Sequence, residues 1–170
     1  ALDAPAGLAR GSYALYLGQT RLGDIDLRQF ETPPELGQVR GVEFGGQVAL
    51  TGYQFEPSED YLAVTLAWQA LQTHLPDYTV FAQLLASDTQ TRVAGIDSPP
   101  LKGDYPTSRW LAGEVVVDRA VVAVPPDLPP GRYDIIVGLY RPETGQRLLL
   151  PNGQDYWLLP WTLLWKGQES

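Results

Sequence analysis

The chain has 170 residues, with 20 acidic against 12 basic side chains, one histidine and no cysteine, for a net charge of −8. That length can bury a core without disulfide or metal staples, and the absence of cysteine removes thiol catalysis, thiolate metal sites and disulfide scaffolds together. The acids are scattered and no basic stripe exists to meet phosphates, so nucleic-acid partners are disfavoured; no apolar run approaches the roughly 20 residues of a membrane-crossing helix, so no direct membrane insertion is expected.

Helical periodicity is nearly absent, while short runs with apolar residues at every second position recur between turn signals, the pattern of half-buried strands. In chain order it predicts strands over 12–18 and 22–28, where Tyr13, Leu15 and Leu17 alternate, then a connecting segment over 31–43 around Pro33 and Pro34. Strands follow over 47–55, 61–71, 78–87 and 91–97, and in the second of these Leu62, Val64, Leu66 and Trp68 share one face. After a Pro- and Gly-rich stretch over 98–114, the run 114–124 sets Val115, Val117, Arg119 and Val121 against Val116, Asp118, Ala120 and Val122, leaving its inward face open. The last strands fall over 132–140, 146–150 and 156–165. Proline pairs at 33–34, 99–100, 125–126 and 129–130 forbid long helices across those points.

Many short strands between frequent turns mean an all-β, antiparallel β-sandwich, immunoglobulin-like, with a jelly roll as the alternative. Residues 44–170 are expected to form that domain, with 1–30 as docked strands and 31–43 between them. The chain starts with Ala and holds no Met, which reads as an excised domain or a processed product.

Residues 4–18 and 124–138 share Pro, Leu, Gly, Tyr and Gly at a constant offset, so Leu-x-x-Gly-x-Tyr occurs twice. One reading is that Gly and Pro are common before strands; the other makes 1–30 the closing strands of a preceding copy of the same module. Tyr133, followed on its own face by Ile135 and Val137, has the sequence context of the tyrosine corner of immunoglobulin-like sandwiches, whose hydroxyl bonds back to the turn. Trp68, inside an alternating strand, reads as a core residue.

The segments "FGGQVALTGYQF", "LAVTLAWQAL", "DYTVFAQLLA", "DSPPLKGDYPTSRWLAGEVVVDR" and "PPDLPPGRYDIIVGLYRPETGQRL" succeed one another over about 44–150. In that order they resemble the extracytoplasmic β-sandwich module at the C-terminal end of predicted bacterial membrane glycosyltransferases and related envelope proteins. The resemblance implies an accessory domain outside the membrane, attached to a membrane-anchored parent. It brings no catalytic residue set with it.

Chemistry-bearing constellations are few. His74 stands alone between two strands and reads as a solvated turn residue, which leaves triads and multi-histidine zinc sites at most one member. No serine lies in a Gly-x-Ser-x-Gly elbow, and no Gly-rich turn opens a helix that would hold a phosphate. Nothing selects a carboxylate pair for glycoside hydrolysis. Asp24 and Asp26 share a strand face but lack the loop ligands of a calcium site and read as edge carboxylates.

The one clustered set is "KGDYPTSRW", where Asp104, Tyr105, Arg109 and Trp110 stand close together. One reading pairs Asp104 with Arg109 across the loop and packs Tyr105 and Trp110 about Pro106 as a cap on one end of the sandwich. The other is a glycan site, with an exposed ring stacked on a pyranose and Asp104 and Arg109 on its hydroxyls. Trp157, Trp161 and Trp165 share one face of the last strand, either as core or as an apolar patch that meets a preceding domain or the membrane interface. The expectation is a non-catalytic accessory domain with no metal and no cofactor, whose partner is a glycan or a neighbouring domain of its parent.

Overall fold

The alternating runs resolve into ten strands among the described residues of the computed structural model, which are 11–17 and 19–167, with side chains described for 19–21 and 28–167. They are β1 (Gly11–Leu17), β2 (Thr20–Leu27), β3 (Gly37–Phe44), β4 (Val48–Pro57), β5 (Tyr61–Ala70), β6 (Thr79–Ala86), β7 (Arg92–Ser98), β8 (Val115–Ala123), β9 (Gly131–Tyr140) and β10 (Trp157–Trp165). β1 and β2 pair as a separate antiparallel hairpin. The other eight form two antiparallel four-stranded sheets, ordered β3-β4-β5-β8 and β10-β9-β6-β7.

The inner faces of the two sheets meet in one core. Leu62, Val64, Leu66 and Trp68 of β5 face Val80, Ala82 and Leu84 of β6 and Ile135, Val137 and Leu139 of β9. Trp68 is fully buried and lies edge-on to Phe44, with ring centroids 5.7 Å apart. On β8 the inward set is Val116, Asp118, Ala120 and Val122, which settles the face that periodicity left open. Hairpin connections stay within a sheet, whereas the chain changes sheet after β5, β7 and β8, the Greek-key habit of sandwiches. Tyr133 is 4 % exposed and donates its hydroxyl proton to the Pro129 carbonyl at 2.7 Å, forming the corner expected at the start of β9.

Three local expectations change. The segment 31–43 carries β3, an edge strand whose pairing with β4 shifts register between Gln38 and Val42. That bulge breaks the two-residue period and leaves only Val42 and Phe44 buried, so the strand did not announce itself. Ahead of it, 29–36 lies across the outer face of β4 and β5: Leu36 packs with Ala67 and Val115, and the Val115 amide donates to the Gln29 carbonyl at 2.6 Å. Gly52 makes room for this crossing, since a Cβ there would meet Thr32 Cγ2 at 2.6 Å.

The stretch 146–150 is not a ladder strand. It bridges the sheets at one end, with the Leu148 amide donating to the Leu139 carbonyl and the Gly45 amide to that of Leu149. In β10 a register shift between Leu158 and Thr162, around Pro160, splits the tryptophan stripe. Trp157 and Trp165 are half-buried, Trp161 is 56 % exposed, and Leu159 is the buried residue of that strand. The side chains of Tyr13, Leu15 and Leu17, expected to dock on the sandwich, lie outside the described ones.

Candidate functional site

The stretch 98–114 folds back on the end of the sandwich through two 3-10 turns, Pro100–Gly103 and Thr107–Arg109. Its centre is pegged by Thr107, which has no exposed surface. The Thr107 hydroxyl donates to the Pro76 carbonyl at 2.6 Å and accepts from the Tyr78 amide at 2.9 Å, tying the loop to the connection before β6. Trp110 is 1 % exposed and belongs to the main core; its Nε1 donates to the Tyr105 carbonyl at 3.1 Å. The indole therefore supplies packing area and satisfies its own N–H, whereas the Nε1 of the buried Trp68 has no hydrogen-bond partner among the described residues.

Around Tyr105 the loop meets a residue from outside the sheets. Glu114, with no exposed side-chain surface, accepts from Arg28 Nη1 at 2.8 Å and from the Leu111 amide at 2.9 Å. Arg28 Nη1 also donates to the Tyr105 hydroxyl at 2.6 Å and reaches the Arg109 carbonyl at 3.2 Å. The single Tyr105 hydroxyl proton serves either the Glu114 carboxylate, 3.1 Å away, or the Arg109 carbonyl at 3.0 Å. A carboxylate this deeply buried requires such a set, because an unpaired charge in the interior costs several kcal/mol, on the order of the desolvation of one ion. The Arg109 guanidinium lies over the Tyr105 ring, 5.4 Å from its centroid, the geometry of a cation–π contact.

Of the four residues singled out in the sequence, Tyr105, Arg109 and Trp110 come together. Asp104 does not: it is exposed, and no Asp104–Arg109 ion pair forms. The central members of the arrangement, Glu114, Arg28 and Thr107, were missed. The only signal for Glu114 was an acid directly ahead of the valine run 115–117, and Arg28 is distant in sequence, so only the fold makes them partners.

A second buried acid lies beneath the same loop. Asp118 accepts from the Leu101 amide at 3.0 Å, where Leu101 and Lys102 hold consecutive left-handed φ values of 52° and 58°. Burial pushes the Asp118 carboxyl above its ordinary range, partly offset by the Leu101 and Arg119 amides that favour the charged form. His74 is exposed, in a turn with φ of 60°. Among the described residues no three His, Asp or Glu side chains gather as metal ligands, and no helix is long and apolar enough to cross a membrane. The side chains of Asp24 and Asp26 lie outside the described ones.

Open hollows line the seam between β10 and β4. One of about 480 Å³ is bordered by Tyr53, Phe55, Trp161 and Leu164, and one of about 820 Å³ by Glu59, Asp60, Trp165 and Lys166. The Tyr105 cluster borders neither of these hollows; its hydrogen-bonding groups are turned on one another, so what it does chemically is to cross-link the loop, the 70–78 connection and the segment after β2. No family model matches the chain, and no curated protein matches it either.

Proposed function

We propose that this chain is a non-catalytic, extracytoplasmic accessory β-sandwich of a membrane-anchored parent protein, with a role in structure and in contact with neighbouring domains. The address follows from the resemblance carried by residues 44–150. The role is supported by one observation: the most chemistry-rich loop turns its tryptophan into the core and engages its Tyr105 hydroxyl and the buried Glu114 with Arg28 from the segment after β2. A loop that presented a ligand site would spend those groups outward. The glycan reading of Asp104, Tyr105, Arg109 and Trp110 requires a ring face open to a pyranose, and here one ring is buried while the other lies beneath Arg109.

Trp110→Ala separates the two. As a clasp, the residue should cost roughly 3 to 5 kcal/mol of stability when truncated, the usual range for a buried aromatic, with no change in retention on a polysaccharide gel. A variant that melts with the parent chain but loses retention on the gel would overturn the structural reading and establish the glycan site.

A further inference from the structure

Glu114 is fully buried, and the guanidinium that faces it comes from the residue that follows β2, outside both sheets. The strand pair that delivers this residue opens as the pair that ends the sandwich does, although β1 and β2 lie two residues apart in the chain and β9 and β10 sixteen. β1 opens on Gly11 and β9 on Gly131, Tyr13 and Tyr133 follow two residues later, and each strand pairs antiparallel with the next one in the chain. After β2 comes Arg28; after β10 comes Lys166, again a base. Lys166 is exposed and makes no ion pair with any described residue.

The two bases sit at opposite ends of the body. Glu114 precedes β8 beside the end of β5, where Gln69 pairs with Val115. β10 finishes where Trp165 pairs with Gly131 and Trp165 Nε1 donates to the Leu128 carbonyl. The chain thus enters the sandwich at one end and leaves it at the other, the geometry of a head-to-tail contact.

Resting on the accessory-module reading, we propose that the Glu114–Tyr105 end is a socket for the closing hairpin of a preceding unit of this kind. Units then stack end to end, each seating the base after its last strand against the buried glutamate of the next. In this chain β1 and β2 act as that closing hairpin. A lone two-stranded hairpin is marginal in water, so its order depends on the seat that Arg28 finds.

Two experiments test this. In the full chain, Glu114→Gln and Arg28→Met should each speed amide hydrogen exchange in β1 and β2 by roughly tenfold or more, the scale of one charge-assisted hydrogen bond, while Arg28→Lys keeps most of the protection. If Glu114→Gln fails to fold, Arg28→Met decides, because Arg28 lies outside the sheets. Unchanged exchange in Arg28→Met overturns the socket.

The second uses a tandem chain in which Lys166 is followed directly by a second copy of residues 29–170, a span that contains both sheets and their core. Small-angle scattering should show one extended, rigid particle, and Glu114→Gln in the second copy alone should make it flexible. Equal flexibility with and without that substitution overturns the stacking while leaving the accessory reading in place, since that reading stands or falls on Trp110→Ala.

Discussion

Tyr133 and Asp118 are both inward-facing residues of the sandwich, and they pull stability in opposite directions. The Tyr133 hydroxyl holds the Pro129 carbonyl at 2.7 Å behind a ring that is 4 % exposed, so Tyr133→Phe should cost about 1 kcal/mol, the net worth of one buried hydrogen bond. A lowered urea midpoint at constant slope would report it; an unmoved midpoint rules the corner out as a stabilising contact. Asp118 carries the opposite sign. Its folded carboxyl titrates above the unfolded value, so the native state holds the proton more tightly and stability falls as pH rises through that raised range. Asp118→Asn keeps an acceptor for the Leu101 amide without the buried charge. The variant should melt above the parent at pH 7, and the gap should close on acidification below the ordinary aspartate range; a gap independent of pH would exclude burial of charge as its cause. Tyr133 was legible because Gly-x-Tyr ahead of an alternating strand is a local pattern. The burial of Asp118 was not, since period two assigns it a side but not which side is inside.

At the level of elements, strands that pack on both faces place the strictest demands on their small residues. Gly138 of β9 lies under Phe81, whose Cζ would be 2.5 Å from any Cβ added there. Phe81, Leu85 and Ile136 form a cluster of their own, and Arg147 covers the Phe81 ring at 4.1 Å from its centroid while reaching Gln83 and Asp155. The long connection from β9 to β10 supplies that cover. Gly138→Ala should therefore cost about 1 to 3 kcal/mol by overpacking, measured as a fall in melting temperature, whereas a variant as stable as the parent would mean that the ring shifts freely. Two edge strands show how irregular pairing hides a strand. β3 and β10 each carry a register shift, which twists an edge away from unwanted pairing and also erases the alternation that makes a strand readable.

Across the whole molecule, one core joins the two sheets, with Trp110 at the end that receives Arg28 and Tyr133 at the other. Denaturation should be a single cooperative transition, and the costs of Trp110→Ala and Tyr133→Phe should add to within about 0.5 kcal/mol, as for sites without shared partners. A larger coupling would mean that the two ends of the sandwich strain each other. The residue pattern alone determined the all-β class, the inner face of β5, the core place of Trp68 and the corner at Tyr133, because each depends on period two or on a turn a few residues long. What only the tertiary structure decided was long-range or broken in period: β3 inside the segment read as a connection, the split tryptophan stripe of β10, and above all the pairing of Arg28 with Glu114. Those two residues are far apart in sequence, and an ion pair has no periodicity to betray it. The missing solvent at Glu114, created by Trp110, Tyr105 and the packed loop around them, is what makes Arg28 its necessary partner.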